Sequence, residues 1–172
     1  MCKLSADGQI AILAVFDPVI MFNEVPALDG GLAPATVLAT EPSVVWTIPP
    51  AYLEKMIRAH PAIGLGLLRV LANRNRRLVG QFEDLSFRSV LARTAKLLLE
   101  LSEGGAKMID RRKFPNHQLA ARIATIPEAF SRSLRVFRDS GALLCSYKSI
   151  QVVEKDHLYR VAQLGPWKSE PG

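Results

Sequence analysis

The stretch from residue 117 to residue 143, HQLAARIATIPEAFSRSLRVFRDSGAL, constrains this chain more than any other. It reads as two short helices joined by a tight turn. In the second helix Glu128 to Ser131 is an i, i+3 spacing and Glu128 to Arg132 is i, i+4, so the three side chains project together. Phe130, Leu134 and Phe137 fall at helical spacing on the opposite side. A buried back with a compact polar, cationic front is what reading a DNA major groove requires. Arginine donates two bonds to guanine O6 and N7, glutamate accepts from cytosine N4, and serine serves either kind of edge. Two helices and a turn are also a common way to pack a core. On spacing alone the two readings are equally good, and the rest of the chain separates them.

Charge is the first discriminator. The net charge of +6 is unevenly spread. Residues 1–49 hold one Lys or Arg against five acids, residues 50–105 hold nine against five, and residues 106–172 hold twelve against six. An acidic first part and a basic last part place a polyanion partner at the C-terminal end, unless the basic surface is merely solvated. Cys2 and Cys145 are the two cysteines, which gives no disulfide framework and no CxxC metal site. His60, His117 and His157 are scattered without ligand spacing, so no metal is expected. Few cysteines fit a reducing cytoplasm. The apolar run Ile10 to Phe16 ends at Asp17-Pro18, too short to span a bilayer, and follows a single cation, Lys3. No membrane association is expected, and the run reads as a buried strand.

Along the chain, residues 3–16 read as strand, turn and strand about Ala6-Asp7-Gly8. LDGGLAP at 28–34 reads as a loop. Ala35 to Ala39 and Ser43 to Ile48 alternate and are β-branched, so both are expected as short strands ended by Pro49-Pro50. A short helix over Ala51 to Ala59 is broken by His60-Pro61. A long helix then begins at Ala62. Leu68, Asn75 and Phe82 fit heptad a positions, and Leu71, Leu78 and Leu85 fit d. That seam of about three heptads points to a parallel homodimer, with Asn75 fixing register; the other reading is an intramolecular core helix. Gly64, Gly66 and Gly80 lower its straightness, and Arg74, Arg76 and Arg77 read as a solvated flank. Val90 to Ser102 is an amphipathic helix stopped by Gly104-Gly105. AKMIDRRK at 106–113 reads as a basic connector. After the two helices, Ala142 to Cys145 and Ile150 to Val153 flank a polar turn at Ser146 to Ser149, a hairpin or wing.

This order of parts resembles the Crp/Fnr superfamily of bacterial transcription regulators, from about residue 4 to residue 163. LSADGQIAILAVF, then Asn23-Glu24 and APATV at 33–37, looks like the family's sensor pattern. ARTAKLLLELSE at 92–103 is similar to the helix that opens the DNA-binding domain. HQLAARIATIPEAFSRSLRVFRDSGAL is similar to the helix–turn–helix, and SIQVVEKDHLYRVA to the last strand and closing helix. The resemblance implies that Glu128, Ser131 and Arg132 read bases. The Glu-x-x-Ser-Arg form looks more like the Fnr branch, implying half-sites of the TTGAT type. Pro127 stands where the cyclic-AMP receptor branch has an additional Arg, and it suits the first turn of a helix.

The departures are equally informative. The sensor begins about halfway through the family's β-roll: either the true start lies upstream or this is a shortened regulator. The family's phosphate-binding Arg-Ser pair falls on Ala33-Pro34, which offer neither a cation nor a side-chain donor. The helix positions that contact adenine fall on Leu78 and Val79. Glu24 of the cassette remains, beside Asn23 instead of Gly. Neither cyclic AMP nor an iron–sulfur cluster is expected, since Cys2 alone cannot supply the cysteine group and Cys145 is read as a buried structural thiol. In the turn of the helix–turn–helix, Ala124 stands where the family's Gly takes φ > 0. Pro115 replaces a phosphate-touching hydroxyl, leaving Asn116, His117 and Gln118 as candidates for that contact or as a plain helix cap.

The expected fold is α+β. It comprises a partial β-roll of the cyclic-nucleotide-binding, jelly-roll kind over residues 1–60, a dimerisation helix over 61–87, and a winged helix–turn–helix over 88–165. The expected function is sequence-specific binding of a pseudo-palindromic operator as a homodimer, through the helix 127–138. Arg135, Arg138 and Lys148 are further phosphate candidates, and RNA polymerase is a further expected partner. The rival is a degenerate small-ligand sensor or protein-interaction module that no longer binds DNA, in which the first 60 residues matter most. An enzyme is not expected, because Ser131 and Ser140 lack a spaced His/Asp arrangement.

Overall fold

The computed structural model describes residues 1–163; positions 164 and 165 of the expected DNA-binding domain lie outside them. The chain opens with an antiparallel pair, β1 (Cys2–Leu4) and β2 (Ile10–Ile12), in the register Cys2↔Ile12. Gly8 closes the turn at φ 76, where a side chain would be strained. Helices α1 (Glu24–Asp29), α2 (Pro50–Ala59) and α3 (Pro61–Phe87) follow. Gly64 lets α2 and α3 approach closely, since a Cβ there would lie 3.2 Å from Ile57 Cγ2.

The second strand is shorter than the run Ile10 to Phe16 predicts. The strands expected over Ala35 to Ala39 and Ser43 to Ile48 do not form; the single pairing in that region is a bridge from Thr36 to Cys2. Alternating, β-branched sequence makes a strand only where a neighbouring strand takes up its backbone groups. Here the neighbour is two short strands. Helix α1 falls in a segment with no helical periodicity, and Pro26 sits in its first turn, where a missing N–H costs nothing.

Helix α3 runs 27 residues. Leu68, Asn75, Leu78, Phe82 and Leu85 are exposed along it and Leu71 is half-buried, so the apolar seam does not serve an intramolecular core. Arg76 and Arg77 are solvated, but Arg74 is not. Its guanidinium donates to the Glu24 carboxylate and the Met21 carbonyl and lies 5.1 Å from the Phe16 ring centroid.

The main core belongs to the C-terminal part. Helix α4 (Val90–Leu101) starts at Ser89, whose hydroxyl accepts from the Ala92 N–H at 3.2 Å. The basic connector carries β3 (Ile109–Asp110). Then come α5 (Asn116–Arg122), α6 (Pro127–Asp139), β4 (Leu143–Cys145), β5 (Ser149–Val152) and α7 (Lys155–Val161). The three strands form one antiparallel sheet in the order β3-β5-β4. Leu98, Leu119, Phe130, Phe137, Ile150 and Leu158 fill the space between helices and sheet and are fully buried. This is a winged helix–turn–helix, joined to α3 through Asp84, which pairs with Arg88 at 2.9 Å and Lys96 at 2.5 Å. β2 packs against α5, so the N-terminal hairpin rests on the first helix of the motif.

Candidate nucleic-acid interface

Three local features aim α6. Pro127 occupies its first turn, with no side-chain cap at Ile126. Ala124, in the turn before it, adopts φ 48, the left-handed conformation that the glycine of this turn usually supplies; for alanine this costs about 1–2 kcal/mol. At the far end Gly141 takes φ 77, and the Ala142 N–H donates to the Phe137 carbonyl at 2.9 Å, closing the helix. Phe130, Ser133, Leu134 and Phe137 are buried beneath it.

Glu128, Ser131 and Arg132 lie on the opposite, exposed face. Their i, i+4 spacing would allow Glu128 and Arg132 to pair, yet among the described residues neither makes an ion pair or a side-chain hydrogen bond. Ser131 Oγ accepts from Asn116 Nδ2 at 3.3 Å. Asn116 is half-buried and bonded within the protein, whereas His117 and Gln118 are exposed at the start of α5. Arg135 and Arg138 are exposed one and two turns further along α6, and Arg138 contacts Asp139 at 3.2 Å. Lys148 is exposed at the wing tip beside Tyr147.

Sequence reasoning passed over Arg111, which looked like one of several connector cations. Its Nη1 donates to the Ser146 carbonyl at 2.9 Å and its Nη2 to Asn116 Oδ1 at 3.1 Å. Its backbone N–H donates to the Lys148 carbonyl at 2.9 Å. Arg111 therefore ties the wing turn to α5 and, through Asn116, to Ser131. No sequence signal marks it, because its partners lie 5 and 35 residues away. Cys145 is half-buried in β4, less enclosed than a structural core thiol. Burial pushes this thiol up from its usual range, against the pull of Arg111 and Arg138.

Residues 1–60 match the family model described as the cyclic nucleotide-binding domain. Across 169 residues the chain is 31% identical to a CRP-like cAMP-activated global transcriptional regulator of Mycobacterium tuberculosis, covering 94% of this chain and 74% of the relative. The chain belongs to the Crp/Fnr family of transcriptional regulators. A cyclic AMP receptor protein of Thermus thermophilus is 28% identical over 155 residues, covering 90% of this chain and 71% of that protein. Among solved structures, a crp/fnr-family regulator from Eubacterium rectale superposes with a TM-score of 0.75 at 20% identity, over 94% of this chain and 75% of its own. A CRP-family regulator from Thermus thermophilus gives 0.71 at 25% identity, over 94% and 82%.

Residues 1–60 of this Crp/Fnr regulator include Glu24, Ala33 and Pro34. Glu24 is buried and held by Arg74 of α3, with Oε2 unpartnered. Ala33 and Pro34 are exposed, and the Pro34 carbonyl accepts from Lys3 Nζ at 2.9 Å. Leu78 and Val79 are exposed on α3. No helix among the described residues is long and apolar enough to cross a membrane.

Proposed function

We propose that this regulator binds a pseudo-palindromic operator as a homodimer and reads it with α6. The reading rests chiefly on Glu128 and Arg132. They are adjacent, exposed and uncommitted to each other, on a helix whose other face is anchored in the core. Their polar atoms are thus available to base edges, with Ser131 in support. Pairing along α3 would present two copies of α6 to successive major grooves about 34 Å apart. His117, Gln118, Arg135, Arg138 and Lys148 would contact phosphates, and RNA polymerase would be the partner at the promoter. Arg132→Ala should weaken operator binding by about 1–3 kcal/mol and relax preference at one base position. Competition binding with single-base operator variants reads this directly. Uniform loss across all sequences would assign Arg132 to the backbone instead.

The Mycobacterium tuberculosis relative is named as cAMP-activated. For this chain we infer no tight cyclic-AMP binding. The cassette glutamate is engaged by Arg74, and residues 33, 34, 78 and 79 bring no charge or base-pairing group. An iron–sulfur cluster is likewise not proposed, with Cys2 in β1 and Cys145 in β4. Calorimetric titration with cyclic AMP should show no micromolar site; one that saturates in that range would overturn this inference.

A further inference from the structure

A cavity of about 230 Å³ lies where α5, α6 and the wing meet. Arg111, Arg135 and Arg138 supply its charge, Asn116 and Ser131 its neutral polar wall, and Leu134 and Cys145 its floor. No carboxylate lines it. We propose that this cavity seats a single phosphate-class oxyanion, with Arg111 and Arg135 as its principal cations. The proposal rests on the DNA-binding reading only for the source of that phosphate, which is either a backbone diester or a free phosphate.

Four features fit such a ligand. Arg111 is fixed by two neutral acceptors, the Ser146 carbonyl and Asn116 Oδ1, so it is oriented without being neutralised. Phosphate is bound best by a guanidinium fork held in place in this way. Arg135 has no hydrogen bond or ion pair among the described residues, although its helix carries Asp139 four positions on, which Arg138 engages instead. Ser131 Oγ accepts from Asn116 Nδ2, so its own hydroxyl hydrogen remains to be donated. The Cys145 thiol, pushed up by burial, brings no negative charge that would oppose an anion.

Cys145 also reports on the cavity it lines. The test follows alkylation of Cys145 in the full chain by mass spectrometry, with buried Cys2 as internal reference. Inorganic phosphate is compared with chloride at matched ionic strength. Phosphate at about twice its dissociation constant should slow Cys145 alkylation roughly threefold. Arg135→Ala, at an exposed position that does not threaten folding, and Arg111→Lys, which keeps charge but loses the fork, should both remove that protection. Operator duplex is tested in parallel, with single phosphates replaced by neutral methylphosphonate. Protection by duplex alone, lost at one methylphosphonate position, supports the seat with DNA as its source. Protection by free phosphate in a protein that binds no duplex supports the seat while the DNA reading fails. If neither phosphate nor bound duplex slows alkylation, and operator affinity is intact, the seat is refuted and the DNA reading stands.

Discussion

Placing two carboxylates in the apolar stripe of the long helix, as Leu78→Glu with Phe82→Glu, is expected to leave each chain folded but monomeric and to abolish tight operator binding. Leu68, Leu78, Phe82 and Leu85 are 62%, 50%, 72% and 51% exposed along α3. Such side chains gain about 1.5–3 kcal/mol each when fully removed from water. The 27-residue helix is long enough for a seam of several turns, and in the proposed homodimer its a and d spacing would bring the same residues of two copies together. Glutamates at both sites would face their own copies across the twofold axis, where like charges repel and must also be desolvated. Because they replace exposed residues, little intramolecular packing is lost. A monomer engages one half-site, and losing the linked second contact should reduce operator affinity by roughly 10²–10⁴-fold. Sedimentation velocity and operator titration on the same sample check both parts. A variant that remains dimeric would show that the copies meet elsewhere.

Phe137→Ala should produce the largest loss of stability, about 3–5 kcal/mol. Phe137 is fully buried beneath α6, and its ring meets His157 edge-on with centroids 6.1 Å apart. Removing the ring leaves a cavity among fully buried residues from α4, α5 and the wing, including Leu98, Leu119 and Ile150. Little of this close-packed core can relax into the space. Typical domains are stable by about 5–15 kcal/mol, so much of the total would go. Base reading would fail with it, since Phe137 and Phe130 hold the back of the helix that carries Glu128 and Arg132. Denaturant unfolding followed by tryptophan-independent circular dichroism measures the change. A loss below about 1 kcal/mol would mean the site collapses freely and that α6 is not anchored through this ring.

The C-terminal half was legible because its signals are local. Phe130, Leu134 and Phe137 repeat at helical spacing, Pro127 opens the helix, and Gly141 closes it. The strained Ala124 was marked by the resemblance, which sets it where the family's turn has glycine. The N-terminal half was less legible because its structure depends on partners far along the chain. Ala35 to Ala39 and Ser43 to Ile48 carry strand-like sequence, but only Thr36 finds a neighbour. Arg74 reads as a surface cation until Glu24, fifty residues earlier, turns its carboxylate towards it. Arg111 sits among similar cations, and what sets it apart is the Ser146 carbonyl and the Asn116 side chain, which only the folded wing and α5 bring to it. In each case the local residue type was readable and its tertiary partner was not.

The most direct test of the central claim is selection of bound sequences from a pool of random DNA duplexes by the purified full chain, repeated across a salt series. Paired half-sites with centres about one helical turn apart, and affinity falling steeply as salt rises, are the predicted result. Retention that is weak, unenriched in any sequence and insensitive to salt would contradict operator reading by α6.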